Sequence, residues 1–447
     1  MGRKALVIGR DETWSEGGRS ATPDGYAAGG LGALLDRIAA GLDREATVIF
    51  DAHAAAELAL PVTPDELTDV MDAHPCAEEA RAAGWTVSAI GPWSTFTRDG
   101  RAIEMAVHPL MEYSARKKAF ERGSCPLLSP SKSATAAAFA EWHRLTGSAY
   151  AGTPGTAGLS ILAASQPRGK GQLNPTWKPK QHGPSNGAED DYQVDHWRAR
   201  RAGTRWAHSY DLNRAYVGTC AGLMVCPWEL KRTGRMEFNP RDPRAGWYEV
   251  ELAPWNIDYM PDPAGYDPLD HKKPRRVRWL TMQTVALLHE LTELRVYGGI
   301  RVLDSWTGPA RPVLKPWQTR MRDAWRMLDS IDDSDVRARV ELALKTAGRE
   351  TLGLLGRASN WAYRPDWWAA VIAGTRANLW RRAWKIGGGL NGPGPWPLWF
   401  DVDNIWYGSD LDDPREAAPE GLPLSPVDGP YNLGEFKPKH SKRSRRV

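Results

Sequence analysis

Two short stretches constrain this chain more than any others, because each sets carboxylates into a run that is otherwise apolar. RWAHSYDL reads as a strand ending on an acid, Asp211, and PLWFDVDNIWYGS reads as a strand carrying Asp401 and Asp403. A carboxylate inside an apolar strand is costly unless something compensates it, and a divalent cation is the usual compensator. Strands from distant parts of a chain can lie side by side and present Asp211 and Asp403 to one pair of ions. Ions about 3.5–4 Å apart activate an attacking oxygen and stabilise a leaving one in phosphoryl transfer. The two-residue period of a strand puts Asp401 and Asp403 on one face and Val402 on the other. Taken alone, the pattern also admits strand-end acids bonded to backbone or to arginine.

The chain has 447 residues, 25% charged and 42% hydrophobic. At about 100–200 residues per domain this allows two to four domains with real cores. No run approaches the roughly 18–20 apolar residues of a membrane span, so no membrane partner is expected. The apolar stretch Ala5 to Ile8 is too short for a signal peptide, which makes the cytoplasm the expected compartment. The net charge of +4 is local: Lys437, Lys439, Lys442, Arg443, Arg445 and Arg446 crowd the last eleven residues, and without them the remainder stands at −2. Such a tail reads as a solvated arm that raises non-specific affinity for phosphate. Cys76, Cys125, Cys220 and Cys226 lack metal-site spacing and read as reduced thiols. Most of the 22 tryptophans, among them Trp367, Trp368, Trp380 and Trp384, fall at helical spacings that suit a core.

Along the chain, LGALLDRIAAGL and AAFAEWHRLTG read as helices, the second closed by Gly147, and TVIFDAHA as a buried strand. Residues 166–192, rich in Gly, Pro and Lys, read as a connector. GWYEVELAPW and GGIRVLDSW read as strands, and TMQTVALLHELTEL as a helix. Two helices form a hairpin around IDDSD, and DWWAAVIAGTRANLWRRAWKI forms another helix. GLNGPGPW is a turn rather than a phosphate loop, and His208 is read as a packed neighbour of Asp211. In HKKPRRVRW, Lys272, Lys273, Arg275 and Arg276 are candidate contacts to a duplex backbone, with a solvated surface as the alternative.

The order of these features resembles the palm and fingers of family B DNA polymerases, especially the small protein-primed viral and plasmid type. Asp211-Leu212-Asn213-Arg214-Ala215-Tyr216-Val217 resembles the first palm motif, and Asp401-Val402-Asp403-Asn404 resembles the Asp-Thr-Asp-Ser motif of the second catalytic strand. Lys345 through Gly353 keeps the spacing of the fingers motif. GTPGTAGLSILAAS, LKPWQTRMRDAW and LGEFK are similar to flanking segments, so the resemblance covers about residues 150–437. It implies that Asp211 and Asp403 are essential metal ligands, with Asp401 auxiliary and Leu212 also at the metal. It implies two Mg²⁺ or Mn²⁺ ions and Tyr216 as the steric gate against a ribose 2′-OH. Lys345 would meet the incoming triphosphate, with Arg326, Arg322 and Arg349 as further nucleotide contacts. Lys437, Lys439, Lys442 and Arg443 join the basic stretch as nucleic-acid contacts.

The implied fold is α+β: a palm with an antiparallel sheet and helical fingers, behind an RNase H-like, exonuclease-like α/β domain. The implied division is 1–146 exonuclease-like, 147–204 connector and start of palm, 205–309 palm, 310–356 fingers, 357–436 palm and 437–447 basic tail. The implied reaction adds dNTPs to a primer, on a DNA primer-template or a protein primer. The chain departs from the pattern at Arg349-Glu350, where Asn-Ser is expected, at Leu352 in place of Tyr, and at Arg214 and Val217. No Asp-x-Glu lies in an early strand, which points to an inactive exonuclease-like domain. Only 44 residues follow Asp403, so neither the Lys-x-Tyr motif nor a thumb is expected. Short or specialised phage or plasmid synthesis, aided by a thumb-substituting or priming protein, follows from that. A non-catalytic nucleic-acid-binding factor on the same scaffold is the rival reading.

Overall fold

A computed structural model describes residues 4–8, 12–15, 18–21, 28–40, 45–58, 60, 75–90, 93–107, 125–150, 152–166, 193–194, 203–257, 259–264, 277–401, 403–427 and 433–443. The chain is a mixture of sheets and helices in two compact units, one of residues 1–165 with 319–351, the other of 166–318 with 352–447.

The first unit is built on β1 (Lys4–Ile8), β2 (Glu12–Ser15), β3 (Gly18–Ala21), β4 (Glu45–Phe50), β5 (Thr86–Ile90), β6 (Trp93–Arg98) and β7 (Arg101–Val107). They form one sheet in the order β3-β2-β1-β4-β7-β6-β5, in which only the β1–β4 and β4–β7 pairs are parallel. Helices α1 (Gly30–Ala40), α2 (Ala52–Glu57) and α3 (Pro75–Ala82) follow strands or precede them. Leu31, Leu34 and Leu35, at helical spacing on α1, share a core with Val48, Phe50, Phe96, Ile103 and Met105. Helix α4 (Lys132–Thr146) is capped by the Ser131 hydroxyl and ends on Gly147 in the left-handed region, φ 65°. Helix α5 (Pro154–Ser165) follows it.

Asp51 ends β4 and begins α2. It accepts the Ala54 N–H at 2.8 Å and the Lys132 ammonium at 2.6 Å. Burial opposes its ionisation, but those two donors outweigh burial and hold its carboxyl below the usual range.

In the second unit the strands are β8 (Gln193–Val194), β9 (Trp206–Leu212), β10 (Lys231–Arg232), β11 (Arg244–Leu252), β12 (Val277–Thr281) and β13 (Ile300–Pro309). Helices α6 (Ala215–Thr219) and α7 (Met282–Glu293) lie among them. Two long helices follow, α8 (Lys315–Arg326) and α9 (Ser334–Leu355), with residues 319–351 belonging to the first unit. Asp333 starts α9 by accepting the N–H groups of Asp335 and Val336 on one carboxylate oxygen. The chain closes with α10 (Pro365–Ile386), β14 (Trp399–Asp401), β15 (Asn404–Ser409) and β16 (Phe436–Arg443). These give two antiparallel sheets, β16-β9-β15-β14-β8 and β10-β13-β11-β12. Tyr210, Phe400, Ile405, Tyr407 and Phe436 from the first sheet share one core with Tyr248 and Val250 from the second. Val285 and Leu288 of α7 and Ala377 and Trp380 of α10 complete it.

The start of α10 is fixed by a desolvated ion pair. The Arg364 guanidinium binds Asp366 through Nε at 2.9 Å and Nη2 at 2.7 Å, with both side chains under 5% exposed. Its remaining donors reach the carbonyls of Cys226, Pro227 and Trp228, and it lies 4.2 Å from the centroid of the Trp367 ring. All four cysteines are buried and unbridged, and burial pushes the Cys76 thiol up to about 11 and Cys125 to about 12. No described helix is long and apolar enough to cross a membrane.

Two expectations are corrected. WFDVDNIW is not one strand: β14 ends at Asp401 and β15 begins at Asn404, and the two pair antiparallel with Asp401 opposite Asn404. The basic tail is not a solvated arm through Arg443: residues 436–443 form β16 and pair along β9. The connector residues 167–192 and the basic stretch with Lys272, Lys273, Arg275 and Arg276 lie outside the described residues.

Two measurements follow. Arg364→Ala strands the Asp366 carboxylate and the carbonyls of Pro227 and Trp228, so chemical denaturation should show a loss of about 3–5 kcal/mol. Arg364→Met with Asp366→Leu should recover most of it. Because the Asp51 carboxyl is depressed in the folded state, its contribution is present above the unfolded value, near about 3.9, and is lost as pH falls through the folded one. Asp51→Asn, which keeps a helix cap but removes the charge, should destabilise the first unit at pH 7. The deficit should vanish near pH 2.

Candidate functional site

Strand β9 runs between β15 and β16. Period 2 sends Trp206, His208, Tyr210 and Leu212 to one face and Ala207, Ser209 and Asp211 to the other. The first face belongs to the core: Tyr210 is fully buried and its hydroxyl donates to the Pro414 carbonyl at 2.7 Å. His208 is also fully buried, with Nε2 2.9 Å from the Leu411 carbonyl and Nδ1 2.9 Å from the Ser441 hydroxyl. A carbonyl can only accept, so Nε2 carries a proton. Both ring nitrogens are occupied, one by β16 and one by the segment after β15, and the histidine lies on the face opposite Asp211.

On the other face Asp211 has a side chain only 12% exposed. Its counter-charges come from β16. Lys437 Nζ lies 3.1 Å from Oδ2 and Lys439 Nζ lies 3.4 Å from Oδ1. Residues two apart on a strand share a face but pair with different positions of the neighbour, and here both lysines reach one carboxylate. The register explains it: Lys437 pairs with Asp211, Pro438 with Tyr210 and His440 with Ser209, so Lys439 is the extra residue of a bulge. Pro438, which has no N–H to give the ladder, sits where the pairing breaks.

The hairpin brings the second acidic cluster to the same place. Asn404 pairs with Asp211, and the Leu212 N–H donates to the Asp403 carbonyl at 2.9 Å. Asn404 Nδ2 donates to Asp403 Oδ1 at 3.1 Å. Only the NH₂ end of an amide can donate to a carboxylate, so this bond sets the orientation of the amide. It leaves Asn404 Oδ1 buried without a hydrogen-bond partner among the described residues, on a residue 6% exposed. An oxygen acceptor left over beside two carboxylates suits a hard divalent cation, whose ligands are oxygens. Among the described residues no three His, Cys, Asp or Glu side chains cluster around a common point, and the Asp401 side chain lies outside them.

The remaining expected residues are dispersed over named elements. Tyr216 stands on α6 immediately after β9, its ring centroid 6.3 Å from that of Trp368. Lys345 is exposed on α9 and has no ion-pair or hydrogen-bond partner among the described residues. Arg349, one turn on, is 3.9 Å from Glu350. Glu350 itself has structural work: its Oε2 accepts the Gly155 N–H at the start of α5, at 3.2 Å. The two helices approach so closely that a Cβ on Gly158 would lie 1.8 Å from Thr351 Oγ1. Leu352 is fully buried. Arg322 spends its guanidinium on neighbouring Asp323, whereas Arg326 is exposed at the end of α8. Lys442 lies 5.0 Å above the Trp406 ring, which stacks on Trp399 at 4.2 Å, and Arg443 is exposed at the end of β16. Sequence reading missed Asn404 and the joint use of Lys437 and Lys439; the Lys-Pro-Lys triplet beside an apolar Phe436 was the available signal.

No family model matches the sequence, and no curated protein matches it. Among solved structures the chain is similar to Phi29 DNA polymerase complexed with primer-template DNA and incoming nucleotide substrates. The identity is 11%, with 99% of this chain and 85% of that chain covered and a TM-score of 0.47. The same polymerase complexed with single-stranded DNA gives 10%, 99% and 84%, with a TM-score of 0.43. Likeness at that level assigns no role to any residue here.

The ion pair on Asp211 is directly measurable. In metal-free buffer a double-mutant cycle of Asp211→Asn and Lys437→Met should give a coupling of about 0.5–1 kcal/mol in stability. Because Lys437 is about a third exposed, the coupling should shrink in 1 M salt.

Proposed function

We propose that the chain is a DNA-directed nucleotidyltransferase that adds dNTPs to a primer, on a DNA primer-template or a protein primer. The observation that carries the reading is the register of β9 with the β14–β15 hairpin. It joins acids about 190 residues apart in sequence, with Asn404 opposite Asp211 and Asp403 bonded to Leu212 through the backbone. Asp211 and Asp403, with Asp401 and Leu212 beside them, would hold the Mg²⁺ or Mn²⁺ pair. When bound, such ions supply Lewis-acid stabilisation of charge on the phosphoryl oxygens.

This chain's own residues have separate tasks. Asn404, by donating to Asp403, fixes the orientation of that carboxylate. Lys345 and Arg349, on one exposed face of α9, bind the triphosphate of the incoming nucleotide, with Arg326 as a further cation. Tyr216, braced by Trp368, closes the sugar position against a 2′-hydroxyl. In the reaction a primer hydroxyl oxygen bonds to the α-phosphorus, pyrophosphate leaves, and the hydroxyl proton passes to solvent. Residues 1–146 are the exonuclease-like part of the proposal. Three antiparallel strands leading into a parallel β1–β4 pair support an RNase H-like domain, and the use of Asp51 as a cap and ion-pair partner supports its inactivity.

A non-catalytic nucleic-acid-binding scaffold is the second reading, favoured by one observation: Asp211 is already balanced by Lys437 and Lys439. Incorporation of labelled dNTPs separates the two. Wild type should extend a primer in Mg²⁺ or Mn²⁺, and Asp211→Ala and Asp403→Ala should each lose at least about 100-fold. Lys345→Ala should raise KM for dNTP more than it lowers kcat. Equal silence of wild type and both aspartate variants, on DNA and protein primers alike, gives the answer to the scaffold.

A further inference from the structure

The carboxylate that the proposed reaction needs for a divalent ion already carries a cation on each oxygen, Lys437 on Oδ2 and Lys439 on Oδ1. The bulge at Lys439 inserts that residue beside Lys437 without a β9 partner of its own. The exposures are unequal. The Asp211 side chain is 12% exposed, while the lysines are 34% and 43% exposed. The acid is held by its strand between two neighbours, whereas each ammonium sits on a four-carbon stem that opens toward water. A divalent cation binds carboxylate oxygens at about 2.0–2.6 Å, and like charges crowded on one carboxylate repel strongly in a partly buried site. Ion and ammonium groups therefore compete for the same oxygens.

We propose that Lys437 and Lys439 are resident counter-charges of Asp211, which a divalent cation must displace, so that metal entry and release of the two ammonium groups are one event. The inference rests on the reading of Asp211 as a metal ligand. It makes β16 more than an edge strand: it sets how much free metal the site requires before it fills. It also gives the protein a state without metal in which the acid already has cations on both oxygens.

The test uses the full chain and Mn²⁺ alone, with free Mn²⁺ read by electron paramagnetic resonance. Lys437→Met/Lys439→Met should bind Mn²⁺ at least tenfold more tightly than wild type, and Asp211→Asn should weaken binding at least tenfold in either background. If Asp211→Asn weakens binding but the lysine variant is no tighter than wild type, displacement is overturned and Asp211 stays a ligand. If Asp211→Asn changes nothing in either background, both ideas fall. A second measurement needs no lysine variant. Acylation of amines, read by mass spectrometry, should modify Lys437 and Lys439 several-fold faster in wild type once metal is added, with Lys345 as the unmoved reference. In Asp211→Asn the two lysines should react fast with or without metal. Wild-type reactivity unchanged by saturating metal overturns the proposal.

Discussion

A carboxylate buried at the end of an apolar strand must be met by positive charge, and the sheet around β9 is arranged by that requirement at Asp211. From one side β16 brings Lys437 and, through its bulge, Lys439. From the other, β15 brings an amide, Asn404, that ties down a second acid. The opposite face of the same strands is apolar and enters the core through Tyr210, Ile405, Tyr407 and Phe436. One alternation thus supplies both the packing that holds the sheet and the polar face on which Asp211 meets its lysines. Farther back, Arg364 and Asp366 hold the head of α10, whose buried Ala377 and Trp380 pack in that core.

Much of this was legible in the sequence, and what was not has physical reasons. The end of α4 followed from Gly147, whose capping role is local, whereas its start at Lys132, capped by Ser131, lies ahead of the helix read from the sequence. Strand β9, helix α7 and helix α10 followed from periodicity. The break between β14 and β15 did not, because DVDN contains no Gly or Pro and apolar residues continue on both sides of it. The break is set by pairing with β9, a long-range property. The basic tail misled for the opposite reason: KPKHSKR has the composition of a solvated arm, and its order comes from a partner strand far away in the chain. Asn404 could be located by sequence, but its unmatched carbonyl oxygen depends on a tertiary hydrogen bond.

The departures from the polymerase pattern divide along similar lines. Glu350, where a neutral polar residue was expected, accepts a backbone N–H at the start of α5, so the substitution is explained by helix packing and leaves Lys345 exposed beside it. Leu352 is a core residue. Arg214 occupies the left-handed region, φ 51° and ψ 39°, between β9 and α6, a conformation that costs a residue with a Cβ about 1–2 kcal/mol. It makes the sharp change of direction that sets Tyr216 just beyond the acidic end of the strand.

The bond between Lys439 and Asp211 joins residues 228 positions apart. At a ribosomal pace of roughly 5–20 residues per second, that separation lasts on the order of tens of seconds. Throughout that interval β9 has been made and β16 has not. An apolar strand with an unmatched acid and a free edge is then on offer to whatever else is nascent nearby. The carboxylate that lacks its lysines is, in that interval, also the charge that discourages such a strand from pairing with another copy of itself. Asp211 would thus act first as a gatekeeper of an unfinished sheet, and only later as the centre of a completed one.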